Sequence, residues 1–259
     1  MAGIDELTLR ALSARAGLPM QFVFKEIKLL EALSGILSAN RDAGLRLVMK
    51  GGTALNKIYL RGVQRFSEDI DFDLFSETNN LKKIVAIDGF ETQGPWRRRD
   101  TIRYHLAYNF AGQADTVRVE FSTGKLLKTV NPVANENVVS DITGNVLYGA
   151  PVYSLDDLVA RKMNALRTRT EGKDVWDCHH AIPKTKKLKD AISHALLSEK
   201  LSLSAEEALG QTIAKLGKID PKRIMKLTNP YIPASLRPDD WQSVVDELTR
   251  QIEMLLKPD

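Results

Sequence analysis

In the stretch SEDIDFDLF, Ser67 to Phe75, acidic and apolar residues alternate without interruption. The side-chain period of a strand is two, so Asp69, Asp71 and Asp73 belong to one face and Ile70, Phe72 and Leu74 to the other. Such a strand needs an apolar layer on one side and something to offset three like charges on the other. Two readings are open from this stretch alone. It is an exposed edge strand with a solvated acidic face, or it is a carboxylate cluster that takes a cation.

The residues upstream narrow the choice. An apolar run from Leu45 to Met49 stops at Gly51 and Gly52, which adopt φ > 0 without penalty and let a ligand approach the backbone. Thr53 is placed to cap a short helix through Leu60, with Leu55, Ile58 and Tyr59 at helical spacing. Backbone N–H groups at a helix start suit an anion, while a plain strand-to-helix turn explains the same glycines. Strand, glycine turn, short helix and acidic strand together set phosphate-binding amides beside carboxylates. That arrangement suits phosphoryl or nucleotidyl transfer, in which Mg²⁺ takes hard oxygen ligands from carboxylates and substrate phosphates.

The combined pattern, GGTAL followed by RFSEDIDF, resembles the signature of the AbiEii-type nucleotidyltransferase toxins. They are a branch of the DNA polymerase β-like superfamily found in abortive-infection phage defence and toxin–antitoxin systems. The resemblance implies that Gly51, Gly52 and Thr53 cradle the NTP phosphates and that Asp69 and Asp71 hold Mg²⁺. It further implies that Lys50 and Arg65 offset charge on the triphosphate. Asp73 has no role in the pattern and is read as a solvated or salt-bridged neighbour.

Thr101 to Phe110 alternates as a half-buried strand and is joined through Gly112 to Asp115 to a second strand, Val117 to Phe121. Glu120 lies on the face it shares with Arg118 and Ser122. A glutamate there is either simply solvated or, as in polymerase β-like enzymes, a third carboxylate that assists as metal ligand or general base. Further on, Ser154 and Asp157 form a capping pair for a helix from Leu155 to about Thr168. Lys162 falls in the middle of the apolar stripe of that helix, where its ammonium must snorkel out or find an anionic partner. ARKMNAL resembles the family's third motif, whose lysine meets the triphosphate. KDVWD resembles its fourth, so Asp174 is a helix N-cap or a residue that orients Lys162 or contacts the nucleotide. Arg167 and Arg169 are solvated helix-end charges or further phosphate contacts.

The remainder reads as scaffold. Helices are expected over Asp5 to Ala16 and Met20 to Asn40, with a short one over Asn79 to Ile87 that Gly89 to Pro95 breaks. Asn131 to Gly149 shows little period apart from a strand at Asn145 to Tyr148. Four helices follow Pro183, over Leu188 to Glu199, Ser204 to Lys218, Pro221 to Leu227 and Pro238 to Leu256. Cys178, His179 and His180 are adjacent, cannot converge on one ion from a single helix, and are assigned to packing and surface.

With 259 residues and 43% apolar content the chain can bury two modest cores. The expected fold is α+β: a nucleotidyltransferase catalytic domain at 1–153, built as a mixed sheet with flanking helices, and an all-helical domain at 154–259. One cysteine permits no disulfide within the chain, and no apolar run reaches about 18 residues, so a cytoplasmic protein without a membrane partner is expected. Net charge is only +4, with basic patches confined to Trp96–Arg99 and Lys184–Lys189.

The leading expectation is a Mg²⁺-dependent nucleotidyltransferase moving NMP from an NTP to an acceptor hydroxyl. The resemblance implies a tRNA 3′ end as acceptor and a cognate antitoxin protein as restraint. Two alternatives stand beside it: transfer to a protein or small-molecule hydroxyl, and a nucleotide-binding regulatory module without turnover. A phosphate on Ser67, two residues before Asp69, would add about −1.5 to −2 charge beside the carboxylates and block the nucleotide.

Overall fold

The computed structural model describes residues 5–123 and 128–257. The chain divides into two compact units. The first comprises Met1–Lys125, Ala134–Val152 and Pro233–Ser235; the second comprises Leu126–Val133, Tyr153–Ile232 and Leu236–Asp259.

Two helices open the first unit. Helix α1, Glu6–Ala16, starts at Asp5, whose carboxylate accepts from the Thr8 amide, and stops where Gly17 turns left-handed. Helix α2, Met20–Ala43, buries Val23, Ile27, Leu30, Leu33 and Ile36 at helical spacing. Strand β1, Leu47–Lys50, runs into a single helical turn, α3, Gly51–Ala54, and then a π-turn at Leu55–Tyr59. Strand β2, Asp69–Leu74, follows, then the short helix α4, Leu81–Ile84. Strands β3, Glu91–Arg98, β4, Thr101–Phe110, and β5, Gln113–Thr123, form a meander, and β6, Ala134–Val139, and β7, Val146–Val152, a hairpin.

Among the described residues these strands make one seven-stranded mixed sheet, in the order β3-β4-β5-β2-β1-β7-β6. The acidic strand β2 is therefore central. It pairs antiparallel with β1 and parallel with β5, which rules out the edge-strand reading of SEDIDFDLF. Its apolar face, Ile70, Phe72 and Leu74, joins Val117, Val119 and Phe121 of β5 and Ile102, Tyr104 and Leu106 of β4 in a buried layer. The rings of Phe72 and Phe121 stack 5.6 Å apart, and α2 packs over β2, β4, β5 and β7. Covering one face leaves the other face of β2 and its neighbours to the polar residues.

Three local expectations need correction. Thr53 does not cap the helix after the glycines: it lies inside the turn, whose N-cap position is Lys50, and its hydroxyl is buried against the Ser67 hydroxyl and the Asp69 carbonyl. Gly89 to Pro95 is not only a break, because edge strand β3 runs through it with a bulge between Gln93 and Trp96. Asn131 to Gly149 holds two strands rather than one. Both missed strands lie at sheet edges with mostly exposed side chains, so neither carries the apolar alternation by which strands are recognised.

The second unit is helical among the described residues: α5, Leu155–Thr168, α6, Gly172–Ala181, α7, Leu188–Ser198, α8, Ala205–Leu216, α9, Pro221–Thr228, and α10, Trp241–Leu256. Ser204 and Glu207 close a full capping box on α8, and Asp240 caps α10 by accepting from the Gln242 and Ser243 amides. Helix α5 packs on α6, α7 and α8 through Leu158, Val159, Met163 and Leu166. No described helix is long and apolar enough to cross a membrane.

Candidate active site

The glycine turn and the acidic strand meet at one point. Gly51 has φ 74°, and a Cβ there would collide with Asp71 Oδ2 and lie 3.0 Å from Asp71 Cγ. Both the backbone conformation and the nearness of the carboxylate therefore require glycine. Gly52 faces the Arg65 guanidinium, which lies 2.9 Å from where a Cβ would stand. Asn56, fully buried in the π-turn, ties the two together: its amide donates to the Gly52 carbonyl at 3.0 Å and its oxygen accepts from the Arg65 amide at 3.0 Å. Arg65 is itself buried and donates to the Phe66 carbonyl, so it braces the turn from inside.

Cross-strand register brings the carboxylates into rows. Asp71 of β2 lies opposite Lys50 of β1 on one side and Glu120 of β5 on the other, and Asp69 lies opposite Arg118. Glu120 in turn faces Arg103 of β4 and accepts from its Nε at 2.8 Å. The Arg118 guanidinium pairs with Asp69 Oδ2 and stands 3.5 Å from Glu120 Oε1. Lys50 donates to Asp73 Oδ1 at 2.6 Å and to the Ser122 hydroxyl at 2.7 Å. Asp73 is thus a buried, salt-bridged neighbour, and Lys50 is engaged by it rather than held out toward a ligand.

Asp71 is left over. Among the described residues it forms no ion pair, while Asp69, Asp73 and Glu120 each have a cationic partner. Burial, then repulsion from Asp69 and Glu120, outweigh the attraction of Lys50 and Arg118 and raise its pKa to about 6. His105, opposite Arg118 in β4, is pushed below its ordinary pKa by burial and by Arg103 and Arg118, and so is neutral at pH 7.

Among the described residues no three Asp, Glu, His or Cys side chains converge into a preformed metal cage, because Asp69 turns to Arg118 and Glu120 to Arg103. The donor set still suits a hard divalent ion: carboxylate oxygens on adjacent strands, one of them half-buried, without an ion-pair partner and reluctant to ionise without added positive charge. Arginines hold the positions of counter-charges that a cation would share.

In the second unit, Lys162 resolves the conflict noted from sequence by finding anionic partners. Its ammonium lies 2.7 Å from Asp174 Oδ1 and 3.0 Å from Asp177 Oδ2, both carboxylates being buried. Arg169 Nε donates to Asp174 Oδ2 at 2.8 Å. Burial would raise the Asp174 pKa, but Lys162 and Arg169 together hold it below the ordinary carboxylate value. Asp174 is a side-chain partner of Lys162, not the cap of α6, which begins after Glu171 without a side-chain cap. Arg167 is tied to Asn164 and Gln211. Cys178 is buried, and His180 packs its ring 4.0 Å from Trp176, as the packing assignment expects.

Arg103, Arg118 and Asn56 were not assigned roles from sequence. Arg118 and Glu120 are two apart in a strand, which signals a shared face, but only pairing with β2 and β4 shows which charges they meet. Asn56 carried no signal, since its partners lie four residues before and nine after it.

A family model described as nucleotidyl transferase AbiEii toxin, type IV toxin–antitoxin system, matches residues 35–255. Among solved structures, the fold is similar to JHP933 from Helicobacter pylori, with 21% identity over 92% of this chain and 93% of that chain and a TM-score of 0.60. It is also similar to the MenT4 nucleotidyltransferase toxin of Mycobacterium tuberculosis, with 18% identity over 99% of this chain and 91% of that chain and a TM-score of 0.62. No curated protein sequence matches the chain significantly.

Proposed function

Because the chain belongs to the AbiEii nucleotidyl transferase toxin family of type IV toxin–antitoxin systems, we propose that it moves NMP from an NTP to the 3′ hydroxyl of a tRNA, with Mg²⁺ held by Asp69, Asp71 and Glu120. The observation that carries this reading is the half-buried Asp71 carboxylate, which has no ion-pair partner among the described residues, lies between Asp69 and Glu120, and occupies the space a Gly51 side chain would need. The catalytic domain is assigned to 1–153 and the helical domain to 154–259.

In the reaction the acceptor oxygen forms a bond to the α-phosphorus, the bond to the bridging oxygen of pyrophosphate breaks, and pyrophosphate leaves. The metal, when bound, polarises the phosphoryl oxygens and lowers the pKa of the attacking hydroxyl. Glu120, oriented by Arg103, helps remove the proton of that hydroxyl, as third metal ligand or as general base. The amides of Gly51, Gly52 and Thr53 bind phosphate oxygens, with Arg65 holding the turn in shape and Lys50 holding β1 to β2 through Asp73. Asp174 positions Lys162, the lysine of the motif that in the family meets the triphosphate. Most of the catalysis is then positioning and charge stabilisation. A neighbouring antitoxin restrains the activity.

Incubation with labelled NTPs and either purified tRNA or cell lysate tests the acceptor directly. Label on the tRNA 3′ end is expected; label only on protein or on small molecules would replace the acceptor, and tight NTP binding without pyrophosphate release would replace the enzyme reading.

The pH profile gives a second check. Asp71 must be ionised to take a cation, so transfer should fall about tenfold per pH unit below about 6. Arg118 lowers the Asp71 pKa, so Arg118→Ala should move the acid limb to higher pH. An unmoved limb would assign it to another group.

A further inference from the structure

The polar face of the sheet continues past the carboxylates to the edge of the first unit. Register places Asp71, Glu120, Arg103 and Trp96 in one row across β2, β5, β4 and β3, and Asp73, Ser122, Thr101 and Arg98 in the next. Three strand spacings separate Asp71 from Trp96, about 14 Å. Trp96 is 48% exposed, although its ring packs 4.7 Å from His105 and over Gly94, where a Cβ would stand 3.1 Å from the indole. One side of the indole is therefore supported while half its surface remains open. Among the described residues of β3 and β4 it is the only exposed large apolar side chain, and its neighbours along the strand and turn are Arg97, Arg98 and Arg99.

We propose that this face is the acceptor platform: the indole of Trp96 stacks a base near the 3′ end of a single-stranded RNA, and Arg98 and Arg103 meet its phosphates, leading the terminal hydroxyl to the Asp69–Asp71 centre. The inference rests on the RNA-acceptor reading above and adds to it where the RNA lies. A supported, half-open aromatic ring among cations is what sequence-tolerant recognition of single strands uses, since every base has a π-face and every nucleotide a charge. A protein-docking surface would instead set the tryptophan among further apolar side chains. The span from Trp96 to Asp71 suits the last roughly two or three nucleotides of an extended strand. His105 supports the indole, its ring 4.7 Å from that of Trp96.

The test uses the full chain and a 5′-labelled single-stranded oligoribonucleotide with a free 3′ hydroxyl. Trp176 and Trp241 are buried, so intrinsic fluorescence quenched by the RNA reports Trp96 in the unsubstituted protein. Quenching is expected, and its absence would overturn the platform without any variant. Trp96→Ala should weaken RNA binding and raise the KM for RNA by roughly 5- to 150-fold while the KM for NTP stays unchanged, and Trp96→Phe should recover most of the loss. Arg98→Ala should reduce the slope of log affinity against log salt by about 0.7. If RNA accepts label and Trp96→Ala leaves its KM unchanged, the platform falls and the RNA-acceptor reading stands. If label goes only to protein or small molecules, that reading falls and takes the platform with it. If Trp96→Ala spares RNA but abolishes capture of the antitoxin, the surface belongs to a protein partner and the platform is overturned.

Discussion

Asp71→Asn is expected to lower nucleotidyl transfer by about a thousandfold or more and, at the same time, to raise the unfolding midpoint at pH 7. The first effect follows from removing the charge that a cation requires. The second follows from a pKa raised to about 6 in the folded protein, against 3.8 for the same carboxylate in the unfolded chain. Between those two values the folded state binds a proton that the unfolded state releases, so the stabilisation is complete below about 3.8 and lost as pH rises through about 6. At neutral pH the folded protein therefore holds an unfavourable carboxylate that asparagine relieves. Because Asp71 is only half-buried and solvent screens it, the gain should be about 1–2 kcal/mol, a few degrees in Tm. The advantage over wild type should shrink as pH falls from about 6 and be gone below about 3.8, where aspartate is neutral in both the folded and the unfolded chain. Thermal melts from pH 4 to 8 beside transfer assays check both halves. Lost activity with lowered stability at pH 7 would mean that Asp71 is a structural ion-pair member rather than a cation ligand.

Lys57→Met is expected to destabilise the first unit by about 3–5 kcal/mol, the largest stability effect predicted for this chain. Lys57 sits in the π-turn after the glycines and Glu26 on α2, both without solvent exposure, with Nζ and Oε1 2.5 Å apart. Glu26 also accepts from the buried Ser140 hydroxyl at 2.6 Å. Removing the ammonium leaves a buried carboxylate with a hydroxyl as its remaining support. The double variant Lys57→Met with Glu26→Gln removes both charges and should recover most of the loss, since replacing a buried pair whole is far cheaper than breaking it. Chemical denaturation of the two single variants and the double closes the cycle. Additive losses would show that the two side chains act independently. The pair also bears on function, because it joins the segment carrying Gly51 and Gly52 to the helix that covers the sheet. The π-turn brings Leu55, Asn56 and Lys57 inward together, which a regular helix would spread around its circumference.

Elements whose reasons are local could be read directly from the residues. The alternation in β2 and β4, the Ser154 cap of α5 and the glycine stop of α1 each depend on spacing within a few positions. Lys162 conflicts with its surroundings in the sequence because helical spacing alone puts it on an apolar stripe, and that spacing does not decide between snorkelling and pairing. Asp174 and Asp177 decided that from the next helix. Strand β3 escaped notice for the opposite reason. Its Gly94, Pro95 and consecutive arginines have no local strand pattern, and it exists because β4 offers an unpaired edge.

By itself the sequence determined that Asp69, Asp71 and Asp73 share one face, that a glycine turn precedes them, and that Glu120 lies on the same side of its strand as Arg118. Only the tertiary structure decided which of those carboxylates are neutralised: β1 and β5 flank β2 in a register that gives Asp73 to Lys50, Asp69 to Arg118 and Glu120 to Arg103, and leaves Asp71 without an ion-pair partner among the described residues. The reason is physical. Side-chain direction follows from backbone period, which is local, whereas the ionisation of a carboxylate depends on charges and burial within a few ångströms, and those arrive from strands tens of residues away.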